Sequence, residues 1–519
     1  MKLDLEGLEK IGALKELRFI NRGIEKESLR ISKEGRISDK PHPKGLGSAL
    51  TNPYITTDFS ESLLELITPT FNDAQSCLDF LADVHAFVYD NLEEEILWPC
   101  SMPCPIDEEE NIPIGNYGQS NSGMMKTIYR RGLSNRYGSM MQAIAGIHYN
   151  FSFSDKFFTI LLDSEGLKDE QELKNNTYLH IARNFKRFGW LYFLLFGASP
   201  VACNSFVGDK KHNLEEHPSG GLYQKDSTSL RMGDLGYISK AQDELNISYN
   251  SIEEYCSGLQ KALTKSHPPY ERLGEFKGDT RIQLNTSVIQ IENEYYSTIR
   301  PKRVCPSGER PINVLRSEGI EYLELRCVDL DPYCPIGIKR DQIDFMDVFL
   351  LFCLVEDSPN IDAEEAEEIK SNHQKIINHG RSENLEITHE GKTVKALDAA
   401  QSMLSELLHV ASYSGKSLFE NKENKWEESM LLQKEKLNSL ETTLSGKILS
   451  QMADKKQSFR KFGEDLASEH SAYFENYSSK NKELFSQAAQ ESIKDQDKID
   501  STDEMNFESF LKEFLSKTA

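Results

Sequence analysis

Four short segments, far apart in the chain, put acidic or imidazole side chains into an every-second-position pattern: Glu25 and Glu27, His148 and Asn150, Glu292 and Glu294, and Glu324 with Arg326. Residues two apart share one face of a β-strand, so four such strands side by side would line one sheet surface with carboxylates. Carboxylates a few ångströms apart cannot all stay ionised without cations, so the pattern implies either strongly raised pKa values or bound metal; metal is the simpler reading. Glu65 adds a carboxylate inside the apolar run Leu63-Leu64-Glu65-Leu66-Ile67, where it needs a partner or a cation. Each segment also has a plainer reading: a solvated strand edge for 22–30, a buried salt bridge for Glu65, an ordinary core or surface histidine for His148, and a cross-strand ion pair for Glu324 and Arg326.

The donors are oxygen and imidazole with no thiolate, which suits Mg2+ or Mn2+ rather than zinc. A cation such as Arg326 beside metal-binding carboxylates is what a transferring phosphoryl group needs, and several hard cations on one face fit a nucleoside triphosphate. A second group is aromatic and basic: Tyr129-Arg130-Arg131-Gly132-Leu133, Arg231 with Tyr237, and Tyr296 followed by Arg300, Lys302 and Arg303. Arginine forks suit carboxylates and tyrosine gives an apolar wall with a hydroxyl, so an amino-acid-like substrate fits. There is no phosphate-binding Gly-x4-Gly-Lys-Ser/Thr loop, no dinucleotide glycine fingerprint, no His-Glu-x-x-His and no Gly-x-Ser-x-Gly.

The elements that must carry these residues follow from periodicity. Leucines and isoleucines at three-residue steps predict a helix over the first twenty residues, and 73–95 and 168–196 also read as helical. Alternation predicts strands at 22–31, 147–153, 281–296 and 322–328, separated by helices and long loops, hence an α+β fold with a mostly antiparallel sheet. The irregular stretch 98–123 is long enough to suggest a functional loop. After Glu356 the chain turns acidic and then rich in helix formers, which divides it into a catalytic core over 1–355 and a mainly helical part over 356–519 packed on it, its last twenty residues loose.

With 60 Lys and Arg against 83 Asp and Glu, the net charge is −23, and no extended basic stretch exists. Nucleic acid and anionic membrane are disfavoured as partners. The charged start lacks an apolar signal segment, and the uncharged run 189–207 is too polar to span a bilayer, so a cytoplasmic protein is expected. Nine scattered cysteines, with only Cys100 and Cys104 close together, read as reduced structural thiols.

Ten strings together are more specific than any one: Arg-Gly-Ile-Glu-Lys-Glu-Ser-Leu-Arg at 22–30, Leu-Gly-Ser-Ala-Leu-Thr at 46–51, Ile-Thr-Thr-Asp-Phe at 55–59, Leu-Leu-Glu-Leu-Ile-Thr-Pro at 63–69, Trp-Pro-Cys-Ser-Met-Pro-Cys at 98–104, Gly-Ile-His-Tyr-Asn-Phe-Ser at 146–152, Phe-Gly-Ala-Ser-Pro at 196–200, Gln-Ile-Glu-Asn-Glu-Tyr-Tyr at 290–296, Ile-Arg-Pro-Lys-Arg at 299–303 and Gly-Ile-Glu-Tyr-Leu-Glu-Leu-Arg at 319–326. In this order and spacing they resemble bacterial glutamate–cysteine ligases of the proteobacterial type, from about residue 15 to 355 and weakly beyond 360.

The resemblance implies a glutamine-synthetase-like antiparallel sheet curved around the active site. It implies ATP- and Mg2+-dependent phosphorylation of the γ-carboxylate of L-glutamate, then attack by the amino group of L-cysteine, the first step of glutathione synthesis. By the same analogy Glu25, Glu27, Asp58, Glu65, His148 and Glu324 hold metals, and Arg326, Glu27 and Arg231 act in catalysis. Phe59, Tyr129, Arg130, Leu133, Gln142, Tyr237 and Tyr296 form or border the cysteine pocket, and Asn150 contacts substrate. A monomer is expected. A related ligase that joins glutamate to another amine, or a non-catalytic metal- or nucleotide-binding regulator, would share the sheet; a fused glutathione synthetase would need a further nucleotide-binding domain that 360–519 does not suggest.

Overall fold

The structure is a computed structural model that describes residues 3–103, 105–208, 212–236, 241–242, 245–306, 308–389, 391–419 and 423–517. Its centre is an antiparallel sheet of β1 (Asn21–Ser32), β2 (Ile55–Thr57), β3 (Leu63–Ile67), β4 (Glu95–Leu97), β5 (Ile147–Ser152), β6 (Ile299–Lys302) and β7 (Tyr322–Val328). The strands lie in the order β6-β7-β5-β1-β3-β2, and β4 pairs with the end of β1. β1 is the longest, with β5 on one side and β3 on the other.

Register decides which side chains share a face. Glu25 stands opposite His148, Glu27 opposite Glu65, and Gly23 opposite Asn150, which in turn faces Glu324. Directly opposed residues project to the same side, so one sheet face gathers the acidic and imidazole groups. The intervening residues Ile24, Leu64, Leu66, Tyr149, Phe151, Leu323 and Leu325 are buried on the other face. Helices α1 (Ala74–Tyr89), α2 (Asn121–Tyr137), α3 (Glu170–Phe188), α4 (Arg340–Val355), α5 (Ala396–Leu418), α6 (Lys425–Lys436), α7 (Lys482–Thr502) and α8 (Phe507–Ser516) complete the architecture used below. α1 packs on β1 and β3, α3 on β6 and β7, and α4 touches α1, α3, α5 and α6. Every residue of α4 from Gln342 to Leu354 is buried, as befits a helix enclosed on all sides.

One polar knot joins the sheet to this central helix. From the apolar face of β1 the Arg22 guanidinium donates to Asp347 of α4, Nε at 2.9 Å and Nη2 at 2.6 Å from Oδ2, while Tyr149 of β5 donates to Oδ1 at 2.7 Å. Burial alone would lower the Arg22 pKa, but the Asp347 charge and hydrogen bond together with the Tyr149 and Asp344 charges outweigh it and keep the guanidinium protonated.

The strands expected at 22–31, 147–153 and 322–328 form, as does the helical block 168–196, split at Gly189. Three expectations are corrected. The first twenty residues are a short helix, Leu5–Lys10, and a 3-10 stretch, Ala13–Phe19, separated by Gly12 at φ +83. The helix expected over 73–95 stops at Tyr89: the Asn91 side chain takes the Phe87 carbonyl, Glu93 adopts φ +51, and 95–97 joins the sheet. The strand expected over 281–296 is absent. Thr280–Arg281 pairs with Phe276–Lys277, Ser287 makes an isolated bridge to Ser266, and the rest is irregular up to a 3-10 turn at Glu292–Glu294.

The reason lies in the polar side chains, which take over the hydrogen bonds that a partner strand would supply. Gln283 donates to the carbonyls of Tyr270 and Gly274, Gln290 accepts from Leu284 N–H, and Asn285 donates to the Gln290 carbonyl. The C-terminal third is helical but also carries a hairpin, Glu386–His389 with Lys392–Lys395, and Phe507–Ser516, within the stretch expected to be loose, is the packed helix α8.

None of the eight described cysteines is in a disulfide, and Cys104 lies outside the described residues. Among the described residues no helix is long and apolar enough to cross a membrane.

The Arg22–Asp347 knot yields a stability prediction. Asp347→Ala strands a buried guanidinium and a tyrosine hydroxyl, so urea unfolding should show a loss of about 3–5 kcal/mol; a loss below about 1 kcal/mol would show that the knot is not structural.

Candidate active site

On the acidic sheet face β1 supplies Glu25 and Glu27, β3 Glu65, β5 His148 and Asn150, and β7 Glu324 and Arg326. Nδ1 of His148 lies 3.1 Å from Glu25 Oε2 and 4.0 Å from Glu324 Oε1, and its Nε2 lies 3.9 Å from Glu27 Oε1. Asn150 donates to the other oxygen of Glu25 at 2.9 Å, and the Gly146 N–H donates to Glu27 Oε2 at 2.6 Å. Ligand atoms of Glu25, Glu65 and His148 lie within 4.8 Å of one another. Asp58 follows β2; its carbonyl accepts from the Arg130 Nε–H and from the Tyr117 hydroxyl, which fixes the loop that presents its carboxylate.

The electrostatics divide the carboxylates into two pairs. Burial raises the Glu65 carboxyl well above its ordinary range, and Glu25, Asp58 and Glu27 push it further the same way. Glu27 is raised by burial and by Asp58. Glu324 is buried too, which would raise it, yet Lys302, Arg326, His148 and Arg300 pull it well below the usual carboxylate range. Burial likewise opposes ionisation of Glu25, and the His148 hydrogen bond and charge overcome it. The cationic support is at the β6–β7 edge: Lys302 Nζ is 3.5 Å from Glu324 Oε1 and Arg326 donates to Oε2 at 3.3 Å.

Glu25, Glu27, Asp58, Phe59, Glu65, Tyr129, Arg130, Leu133, Gln142, His148, Tyr296, Glu324 and Arg326 all line one cavity of about 450 Å3, within the range of small-molecule sites. Tyr129, Arg130 and Leu133 come from α2, whose Arg130 stacks over Tyr117 with 4.3 Å between guanidinium carbon and ring centre. Gln142 donates to the Tyr296 hydroxyl at 3.1 Å.

Two expected residues, Asn150 and Arg231, do not line the cavity, and a third falls outside the described residues. Asn150 sits on the acidic face beside Glu25 without lining the cavity, and Tyr237 lies outside the described residues. Arg231 is fully buried behind β7, donating to the Arg326 carbonyl at 2.8 Å and ion-paired with Asp329, so it braces Arg326 rather than facing the cavity.

Glu292 and Glu294, which share the sequence pattern, are drawn away from the acidic face. Glu294 accepts from Arg136, Tyr137 and the Gln290 N–H, and Glu292 pairs with Arg310. The cavity also holds Lys126, whose ammonium burial and Arg130 push down to about 8, and Phe514 of α8. Lys126 stands one helical turn before Arg130, and that spacing was the signal available for it. Phe514 had no local signal.

The family model for glutamate–cysteine ligase matches residues 5–376. The chain is 41% identical over 507 residues to a glutamate–cysteine ligase from Alcanivorax borkumensis, covering 96% of this chain and 95% of that one. It is 41% identical over 492 residues to another from Pseudomonas fluorescens, covering 94% and 92%. The chain belongs to the glutamate–cysteine ligase family.

A crystal structure of the glutamate–cysteine ligase from Francisella tularensis in complex with AMP superimposes with a TM-score of 0.89 at 33% identity, covering 96% of this chain and 98% of that one. A bifunctional glutathione synthetase from Pasteurella multocida gives 0.73 at 25% identity over 93% of this chain and 58% of that one. The fold is therefore that of this ligase family, mixed helix and antiparallel sheet.

Gly146 ties the acidic face to the arginine behind it, because a Cβ at this position would collide with the Arg231 guanidinium. Gly146→Ala should cost about 1–3 kcal/mol of unfolding free energy and depress turnover through Arg326. Unchanged thermal unfolding together with unchanged turnover would show that Arg231 has room to move.

Proposed function

We propose that the protein joins the γ-carboxylate of L-glutamate to the amino group of L-cysteine at the expense of ATP, with divalent cations, Mg2+ or Mn2+, held by Glu25, Glu27, Asp58, Glu65, His148 and Glu324. The observation that carries this reading is the convergence of oxygen and imidazole donors on one face of a cavity that also holds Arg326 and Lys302. The donors fit a hard cation: no thiolate is among them, Glu65 and Glu27 are crowded into raised pKa values, and the buried Nε2 of His148 has no hydrogen-bond partner. Family membership supports the amino-acid substrates, and the AMP bound to the Francisella relative supports a nucleotide.

A carboxylate does not react with an amine until one of its oxygens can leave. In the proposed reaction a γ-carboxylate oxygen of glutamate attacks the terminal phosphorus of ATP and ADP departs. The cysteine amine then attacks the acyl carbon, phosphate leaves, and the amine proton is lost. The protein supplies no nucleophile, so its contribution is positioning and charge.

Arg326 and Lys302 stand where they can neutralise the phosphoryl oxygens, and Arg231 keeps Arg326 from drifting by holding its carbonyl. Bound cations would shield the phosphates from the carboxylates that surround them. Tyr129, Leu133, Gln142 and Tyr296 form an uncharged wall suited to the small cysteine side chain. Asn150, held against Glu25, sets the orientation of that carboxylate.

The test is ADP release with glutamate and ATP across cysteine, 2-aminobutyrate and other amines. Cysteine should be preferred; a strong preference for another amine would make the protein a ligase of different acceptor specificity. Glu27→Gln should lower kcat on the order of 10²–10³-fold and weaken the Mg2+ dependence, and an unchanged Mg2+ dependence would remove Glu27 from the ligand set.

The raised carboxyls give a pH signature. A carboxyl held above its ordinary range must lose its proton before it can bind a cation, so Mg2+ affinity should fall as pH drops through the raised pKa values of Glu65 and Glu27. Calorimetry at pH 6 in buffers of different ionisation enthalpy should show proton release on binding, reduced in Glu65→Gln; equal release in both proteins would exclude Glu65 as a ligand.

A further inference from the structure

The C-terminal segment folds back onto the cavity. Asp500 accepts from the Ser120 N–H at 2.8 Å and Asp503 from the Asn121 N–H, so two carboxylates sit at the N-terminus of α2. Leu511 of α8 packs in a small core with Ile128 of α2 and Leu284. Glu508 forks Arg281 from the same helix. Asn313 donates to the Lys517 carbonyl at 2.6 Å. α8 is thereby fixed between α2 and the loop after β6, and its Phe514 lines the cavity, as do Ile291, Pro306 and Pro311.

The charged groups at this end are mostly paired with one another, with the buried Nη1 of Arg310 left without a hydrogen-bond partner. Arg310 pairs with Glu292 at 3.0 Å and stacks over the Phe514 ring at 4.7 Å, and Lys517 binds Glu309 and the Gly308 carbonyl. Glutamate and cysteine are zwitterions whose ammonium and carboxylate groups need charged partners, so this end suits neither. A nucleotide base is flat and uncharged, and aromatic rings bind it by stacking. Lys302, which faces Glu324, lies only three residues before Cys305 at the near edge of this end, a span of at most about 10 Å. Phosphates beside Lys302 and Arg326 would direct the base toward Phe514.

We infer that Phe514 is a specificity-determining residue for the nucleotide, its ring forming the wall on which the adenine base of ATP rests; this rests on the proposed use of ATP. The test is initial-rate kinetics on the full chain, with KM measured separately for ATP, glutamate and cysteine. Phe514→Ala should raise the KM for ATP about tenfold and leave those for glutamate and cysteine within about twofold, and Phe514→Trp should restore ATP binding.

Phe514→Leu keeps the apolar bulk of α8 and removes the flat ring. It decides the matter if circular dichroism shows the alanine variant to be unfolded, and it should raise the KM for ATP alone. An unchanged KM for ATP in the leucine variant, an equal rise in all three KM values, or failure of tryptophan to restore binding would overturn the inference. If the unaltered protein released no ADP with all three substrates, the underlying ligase reading would fall instead.

Discussion

Crowding of carboxylates on one sheet face is the constraint on which the rest of the structure turns. Glu25, Glu27, Glu65 and Glu324 surround His148; burial and neighbouring carboxylates raise Glu65 and Glu27, whereas His148, Lys302 and Arg326 draw Glu25 and Glu324 down. Such a face persists only if the fold supplies cations of its own, recruits them from solution, or keeps protons on some groups. Lys302 and Arg326 contact Glu324 at one edge, whereas at the other Arg130 offsets the raised Glu65 only in part. At the Glu27–Glu65 edge the Gly146 N–H donates to Glu27, and it is there that the raised carboxyls lie. On the proposed reading, this imbalance is what would draw hard cations, and through them phosphates, to the site.

The remainder of the fold holds this strained face in place. Behind it, the Arg22–Asp347–Tyr149 knot fastens β1 and β5 to the central helix, so the strand carrying two of the carboxylates cannot slip in register. A slip of one residue would turn every acidic group into the apolar core. In front of it, Arg130 reaches from α2 to fix the Asp58 loop, and α8 anchors α2 in turn. The acidic face, its uncharged walls and the distant C-terminal helix thus form one mechanical chain.

Much of this was legible in the sequence, for a physical reason. Period-two spacing in 22–31, 147–153 and 322–328 specifies face as well as strand, so Glu25, Glu27, His148 and Glu324 could be grouped before any fold was known. The same pattern misled at 281–296, where buried glutamine and asparagine side chains bond the backbone and Glu292 and Glu294 each meet an arginine outside the sheet. Arg231 looked like a substrate fork, but its role depends on the closeness of Gly146 and Arg326 in space. Phe514 was invisible because nothing within α8 itself distinguishes a wall residue from a core residue.

The most direct test of the account is anomalous diffraction from crystals soaked in Mn2+ and a non-hydrolysable ATP analogue. The account predicts manganese peaks among Glu25, Glu27, Asp58, Glu65, His148 and Glu324, with phosphates between them and Arg326. Manganese bound elsewhere, with this sheet face empty at saturating concentration, would contradict it.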